Sequence, residues 1–156
     1  YSPAALYRYF GSKEALIDAV RAQCFERLNA AIFANLQTAT NPAEQLLIGG
    51  MTYIAYARHN PVDYHLMFYL DSSPATQGDN QRVAMTSLLY IVRFGLETGF
   101  FVTTESYGED AIVFHCWATV HGLAMIQATV LKDDPSAVAN ASEAILRKVI
   151  ASFTAP

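Results

Sequence analysis

The amino-acid sequence predicts an all-α protein, and three observations support that fold class. Apolar residues recur every three or four positions along most of the chain, as on the buried face of a helix. Short breaks rich in Gly, Pro, Asn or Asp separate these stretches. No stretch alternates convincingly as a half-buried strand would. With 156 residues, 53% of them hydrophobic, the chain can bury a sizeable core and has room for one main domain plus a fragment.

The beginning of the chain predicts a short helix that is followed at once by a second one. Ser2 can cap the short helix, Pro3 suits its first position, and Gly11 supplies a left-handed stop after Phe10. Ser12 can then cap the next helix. An ordinary connector helix with solvated tyrosines would fit this spacing as well.

The side chains of this segment suit a negatively charged groove. Small residues near its start could touch thymine methyl groups, and the hydroxyls of Tyr7 and Tyr9 suit phosphate oxygens. Lys13 lies in the first turn of the second helix, where acidic residues are normally favoured. We therefore expect a negatively charged partner near Lys13.

The run S-x-x-x-L-Y-x-Y-F-x-S-K-E-x-L, from Ser2 to Leu16, resembles the recognition helix and following helix of TetR-family transcriptional regulators. Ala4 replaces the glycine often found at its position, a change that bears on how closely the helix approaches DNA. The family's first two helices are absent from this sequence, so we expect a truncated or partly ordered product. The resemblance implies contacts to operator double-stranded DNA by Ser2, Pro3, Ala4, Ala5, Tyr7, Tyr9 and Lys13.

Charge and cysteine usage limit the alternatives. The formal net charge of -4 gives no global signature of nucleic-acid binding, so any DNA affinity must be local or lie in a missing segment. Cys24 and Cys116 lie far apart without metal-ligand spacing. They predict two reduced, buried thiols in a cytoplasmic protein, and we expect neither a metal nor a cofactor.

Helical periodicity and capping residues predict the remaining elements in order. A helix over residues 13–37 would be about 37 Å long and would connect a DNA-binding head to a body. Gly49 and Gly50 fall inside a later helix, where glycine is unfavourable, so a close neighbour or a kink is expected there. Further helices are predicted over residues 42–59, 61–70, 81–98, 109–131 and 134–153, with a loop over 72–80 and a connector over 100–108.

The helix predicted over residues 109–131 contains no charged residue from 111 onward. Its length suits a transmembrane span, but His115, His121 and Gln127 would be costly in hydrocarbon, so we expect no membrane insertion. A helix apolar all round in a soluble protein must be covered on every side. Helical projection separates a bulky face, with Trp117 and His121, from a face of small residues.

The small-residue face and the apolar side of the last helix suit close packing against a second subunit. We therefore expect a homodimer. The predicted dimer interface consists of Ala111, Ala118, Gly122, Thr129, Ile145 and Val149.

A second motif supports a ligand-binding body. W-x-x-x-H-G at Trp117, His121 and Gly122, with N-P-x-x-Y-x-L-M-F over residues 60–68, resembles the WHG-type C-terminal domain of one TetR-family branch. The resemblance implies a pocket, although such aromatic stripes also form plain core, and a buried histidine is usually bonded to a neighbour. The predicted ligand-binding residues are Tyr53, Tyr64, Phe68, Phe94, Phe114, Trp117, His121 and Met125.

Catalysis finds little support in the sequence. The four histidines have no i, i+4 partner, and neither a G-x-S-x-G motif nor a phosphate loop occurs, so we expect no enzyme. Residues 1–37 are assigned to the remnant of a helix-turn-helix head and residues 38–156 to a helical-bundle body for ligand binding and dimerisation. The expected function is a repressor that a small apolar or aromatic effector releases from operator DNA. A helical carrier of small molecules without a DNA role is the alternative.

Overall fold

The computed structural model describes residues 9–68, 74–131 and 135–156. Within these ranges the secondary structure is helical apart from two isolated β-bridges, which confirms the all-α prediction. Six helices pack together in the described chain: α1 Lys13–Leu36, α2 Pro42–His59, α3 Pro61–Phe68, α4 Pro74–Glu97, α5 Glu109–Thr129 and α6 Pro135–Ala151.

The start of α1 follows the predicted capping pattern. Ser12 Oγ accepts a hydrogen bond from the backbone N–H of Ala15 at 3.1 Å. Gly11 has a φ of 77°, a conformation that side-chain-bearing residues adopt only with strain. The preceding helical turn therefore ends sharply at Phe10, and α1 begins three residues later, at Lys13.

The central helix is α2, which packs against each of the other five helices. Asn41 caps it by accepting from the N–H of Glu44 at 2.9 Å. A Cβ added at Gly50 would lie 3.0 Å from Leu146 Cδ1 and 3.1 Å from Val120 Cγ1. The predicted close approach is therefore confirmed at Gly50, where α2 meets α5 and α6.

The predicted loop over residues 72–80 is wrong from Pro74 onward, because α4 already begins there. Proline suits the first helical position, since its missing N–H has no helical partner there. Residues 75–82 lack an apolar repeat, so the sequence carried no helical periodicity even though few of these residues break helices. The last two predicted residues of the preceding helix, 69 and 70, lie outside the described residues.

By length and composition, α5 is apolar enough to cross a membrane. In the structure it packs against α2, α4 and α6. Its inward side is fully covered, as the complete burial of Ile112 and Ala124 shows. Its opposite side is not covered within the described chain, since Phe114 and Val130 keep 61% and 75% of their surface exposed.

The buried and half-buried side chains form two groups that differ in chemistry. The first, here called the tyrosine–histidine cluster, joins α2, α3 and α5 and consists of Tyr53, Tyr64, Phe68, Trp117 and His121. The second, here called the phenylalanine cluster, joins α4, α5 and the C-terminal residues and consists of Phe101, Phe153, Ile91, Val92 and Ile112.

The phenylalanine cluster is held by backbone as well as by packing. The rings of Phe101 and Phe153 meet edge to face at 5.0 Å. The N–H of Val102 donates to the carbonyl of Phe153 at 2.8 Å, and that of Ala155 donates to Phe100 at 3.0 Å. The segment after α6 is thereby fixed against the connector between α4 and α5.

Candidate functional site

One imidazole lies at the centre of the tyrosine–histidine cluster. His121 Nδ1 is 3.0 Å from the hydroxyl oxygen of Tyr53 and 3.1 Å from that of Tyr64. The three residues come from α5, α2 and α3 respectively. Because one ring nitrogen carries either a single lone pair or a single hydrogen, the two hydroxyls share one hydrogen-bonding position. This contact ties three helices to one atom.

Aromatic rings enclose the same imidazole. Trp117 stacks on His121 with a centroid separation of 5.4 Å and an interplanar angle of 9°. The rings of Phe68 and His121 are arranged edge to face, with their centroids 4.7 Å apart. Burial lowers the pKa of His121 and raises that of Tyr53, because both groups lose hydration of their charged forms. Both groups are therefore neutral near pH 7, and His121 is a half-buried histidine bonded to its neighbours.

A cavity of about 70 Å³ lies beside Trp117 and Tyr53. Its walls come from α1, α2, α4, α5 and α6 and are almost entirely apolar. The lining includes Ile32, Gln45, Gly49, Ser87, Cys116 and Leu146.

The wall of this cavity contains two buried polar groups, the thiol of Cys116 and the side-chain carbonyl of Gln45. Burial raises the pKa of the Cys116 thiol to about 12, so the thiol stays protonated and unreactive. Gln45 Oε1 is buried and has no hydrogen-bond partner among the described residues. Such an unpaired buried acceptor is uncommon, because buried polar atoms in folded proteins are nearly always hydrogen-bonded.

The structure brings together most of the predicted ligand-binding residues. Tyr53, Tyr64, Phe68, Trp117 and His121 form one cluster, and Met125 packs against it. Of these six, only Tyr53 and Trp117 also line the cavity.

Two predicted ligand-binding residues do not join the cluster. Phe94 and Phe114 are 42% and 61% exposed. On α4 the buried side is set by Ile91 and Val92, so Phe94 points outward. The covered positions around Phe114 are Ile112, Val113 and Cys116, which leaves its ring on the opposite side of α5.

Sequence reasoning missed most of the cavity wall, including Gln45, Ser87 and Cys116. One available signal was the pair Gly49 and Gly50, where two successive residues of α2 have no side chain. A Cβ added at Gly49 would meet Ile32 and Leu36 only at 3.8 Å, which is ordinary contact. The space beside Gly49 therefore has room that the space beside Gly50 lacks.

The predicted dimer residues lie along a partly uncovered strip. Ala118 and Thr129 are exposed, and nothing described lies within 4 Å of a Cβ added at Gly122. Ala111 and Val149 are half-buried, and Ile145 is exposed. Here we use "outer face of α5" for this helix's part of the strip: Phe114, Ala118, Gly122, Ile126, Thr129 and Val130.

The predicted DNA-facing residues are only partly described. Tyr9 is 83% exposed, and its ring contacts Phe10 edge to face at 5.0 Å. Lys13 is exposed in the first turn of α1. The other predicted DNA contacts, Ser2, Pro3, Ala4, Ala5 and Tyr7, lie outside the described residues.

Polar contacts join α1 to α3 and so to the cluster. The buried guanidinium of Arg21 donates through Nε to the carbonyl of Leu66 at 3.0 Å. Arg27 pairs with Asp63 at 2.9 Å, and the Tyr56 hydroxyl donates to the same carboxylate at 2.7 Å. Burial alone would raise the pKa of Asp63, but the hydrogen bonds from Tyr56 and Arg27 lower it.

No arrangement for metal binding is found in the described part of the chain. There, no three His, Cys, Asp or Glu side chains come close enough together to hold an ion. The polar groups that converge are those of the cluster, the cavity wall and the α1–α3 contacts.

Comparison with protein families gives one match over most of the body. A family model described as Tetracyclin repressor-like, C-terminal domain, matches residues 46–153. Two uncharacterized HTH-type transcriptional regulators, from two Mycobacterium tuberculosis strains, are each 40% identical to this chain over 60 residues. The matched stretch covers 38% of this chain but only 30% of the length of those curated relatives.

Three solved structures have a fold similar to that of this chain. A Rhodococcus sp. RHA1 protein of unknown function has a TM-score of 0.81 and 20% identity, covering 99% of this chain and 79% of that one. A tetR-family regulatory protein from Rhodococcus RHA1 has a TM-score of 0.72 and 19% identity, covering 99% and 82%. The TetR-family regulator PfmR from Thermus thermophilus has a TM-score of 0.69 and 21% identity, covering 96% and 81%.

Proposed function

This chain belongs to the TetR family of transcriptional regulators, and we propose that it acts as a ligand-responsive repressor that binds operator DNA as a homodimer. The observation that carries the proposal is the position of α1. This helix begins with Lys13 beside the predicted recognition helix and contributes Ile32 to the cavity wall. One helix thus connects the predicted DNA contacts to the predicted effector site.

Two features support local DNA binding despite the acidic net charge. Lys13 is exposed and carries its charge at the end of α1 that follows the recognition-helix motif. Tyr9 is also exposed, so its hydroxyl is free to reach a phosphate oxygen. Phosphate contacts of this kind fix orientation on the duplex, whereas sequence readout would come from the residues before Tyr9.

The outer face of α5 supports a homodimer. It is apolar, uncharged and uncovered within the described chain, and α6 extends it through Ile145. Small residues at Ala118 and Gly122 would let a second copy of the helix approach closely. A two-fold dimer would then bury a stable interface of more than about 1,000 Å² in total.

The size of the cavity suggests how an effector could act. An enclosed cavity that holds benzene measures roughly 150 Å³, about twice the 70 Å³ found here. A ring-sized effector must therefore bind to a conformer in which the walls lie farther apart. Because Ile32 forms part of the wall, that conformer displaces α1 and with it Lys13. A hundredfold preference for the enlarged conformer would shift the equilibrium by about 2.7 kcal/mol.

The assignment points away from catalysis and from membranes. TetR-family members are in general regulators rather than enzymes, and they are soluble cytoplasmic proteins. We assign this chain to the same compartment. Its operator, its effector and its repressor action are parts of the proposal.

Selection of binding sites from random double-stranded DNA, with the full-length protein, tests the DNA half of the proposal. The enriched sequences should contain two related half-sites about one helical turn apart, because two recognition helices would occupy successive major grooves. Enrichment of no sequence would contradict a regulator and would favour a helical carrier without a DNA role.

Light scattering tests the dimer half. The native protein should have the mass of two subunits, whereas Gly122→Trp should be monomeric or aggregated. Among the described residues of one subunit, nothing lies within 4 Å of a Cβ added there, so the larger side chain would point into the interface. Ala34→Trp, at an exposed position on α1, is the control and should remain dimeric. A native monomer at micromolar concentration would contradict the interface.

A further inference from the structure

The unpaired acceptor of Gln45 lies in the wall of the cavity beside Trp117. Its Oε1 atom is buried without a hydrogen-bond partner among the described residues, although the Gln45 residue borders open cavity space. Leaving such an acceptor unpaired costs free energy relative to an apolar side chain of the same shape. This atom is not accessible from the cavity as it stands, so an external hydrogen-bond donor would reach it only in the enlarged conformer, in which the walls lie farther apart.

The surroundings restrict which donor fits. A bound water molecule needs two to four polar partners, whereas the cavity wall is almost entirely apolar. A charged ligand is also excluded on energetic grounds, since no Asp, Glu, Lys or Arg lines the cavity to pair with it. What remains is a neutral molecule with an apolar body and one donor group.

We propose that the effector is an uncharged, mainly apolar molecule whose single hydroxyl or N–H group donates a hydrogen bond to Gln45 Oε1. This inference rests on the proposed function, because it assigns the effector to the cavity bordered by α1. Gly49, one helical turn from Gln45, leaves space for the apolar body against Ile32. Trp117 and Tyr53 would form the wall on the side of the tyrosine–histidine cluster.

Three probes of similar shape separate the possible contacts. Phenol donates a hydrogen bond, toluene has a methyl group in place of the hydroxyl, and anisole can only accept. Dissociation constants would be measured by calorimetry on the full-length protein. Emission from Trp117 would report binding at the cavity, because it is the only tryptophan in the sequence printed here.

Gln45→Met tests the contact with little change in side-chain volume. The ratio of the toluene to the phenol dissociation constant should fall about tenfold in this variant, since one hydrogen bond is lost. Using a ratio cancels the different hydration of the two probes. The anisole to toluene ratio should not change.

Gln127→Met is the matched control. Gln127 is also buried with side-chain atoms that lack a partner among the described residues, but it does not line this cavity. The control should leave all probe ratios unchanged. Gly49→Ala supplies a second, independent variant, because it narrows the cavity at ordinary contact distance. It should weaken phenol and toluene alike.

Several results would overturn the inference. One is that no probe binds. Another is that the ratio of the toluene to the phenol dissociation constant is the same in Gln45→Met as in the native protein. A third is that Gln45→Met weakens the binding of anisole and not that of phenol. Operator release is measured separately with the same probes. Probes that bind through Gln45 but never weaken operator binding would contradict the proposed regulation, although they would support Gln45 as the acceptor for a neutral, mainly apolar ligand. Compounds that release the operator independently of Gln45 would contradict the inference alone.

Discussion

The tyrosine–histidine cluster and the phenylalanine cluster lie in the same bundle but differ in what holds them. In the first, two tyrosine hydroxyls share one nitrogen of His121. In the second, the buried side chains are apolar, and Phe101 and Phe153 pack edge to face. Apolar packing has no fixed donor or acceptor positions, whereas a shared hydrogen bond has discrete alternatives.

Because of this difference, we expect the two clusters to respond differently when the bundle changes conformation. Backbone hydrogen bonds hold the chain after α6 against the connector beside the phenylalanine cluster, so we expect this part to act as a rigid scaffold. The tyrosine–histidine cluster includes α3, which is linked to α1 through Arg21 and Asp63. We therefore expect a rearrangement in that cluster to move α1 and Lys13, and a change in the scaffold to affect mainly stability.

The largest expected effect is on the scaffold. Phe101→Ala should lower the free energy of unfolding by about 3–5 kcal/mol, because Phe101 is 2% exposed and its loss leaves a cavity. Urea denaturation followed by circular dichroism measures the change. Phe94→Ala is the matched control and should cost clearly less, since that residue is 42% exposed and Phe101 only 2%. Equal costs would contradict the division into scaffold and surface.

The hydrogen bonds to His121 should show coupling. Tyr53→Phe and Tyr64→Phe should each cost about 1 kcal/mol or less, because the remaining hydroxyl can keep the bond to His121. The double variant should cost more than the sum, since His121 Nδ1 then loses both of these partners. A double-mutant cycle in urea gives the coupling energy. Strict additivity would show that the two hydroxyls do not share the nitrogen.

The stability of the cluster should depend on pH. The folded pKa of His121 is lowered by burial, so the unfolded chain binds more protons once pH falls below about 6.5. Stability should therefore be complete above that pH and decline as pH falls toward the folded pKa. The thermal midpoints of the native protein and of His121→Asn would be compared between pH 8 and pH 5. The native protein should lose more than the variant, and parallel losses would contradict the account.

The smallest effect on stability should come from the link between α1 and α3. Asp63→Asn weakens the partly exposed pair with Arg27 and should cost less than about 1 kcal/mol. Its effect on regulation should be larger, with operator release requiring a different effector concentration. Glu143→Gln, which removes an exposed ion pair on α6, is the control and should leave release unchanged. Equal release in both variants would mean that α3 does not transmit the signal.

Some features of the fold and of the candidate site could be predicted from the sequence, and others could not. Ser12, Asn41 and Gly11 specified helix boundaries because capping and a positive φ are local requirements. The membership of Trp117 and His121 in one cluster followed from helical spacing and from resemblance.

The remaining features depend on which elements meet in space. Phe114 was assigned to the cavity because its angular position on α5 resembles that of His121, but helical projection cannot say where the neighbouring helices end. Gln45 was missed because a single glutamine on a helix usually faces solvent, and only the assembled walls bury it.

Coupling between the cavity and the DNA-binding end can be measured from both sides, as the effect of each ligand on the affinity for the other. With an operator obtained by selection, the dissociation constant for DNA would be measured with and without saturating phenol, and that for phenol with and without DNA. Each ligand should weaken the binding of the other by the same factor, because both would act on one conformational equilibrium through α1. Phenol that fills the cavity beside Trp117 while operator affinity stays unchanged would contradict this coupling.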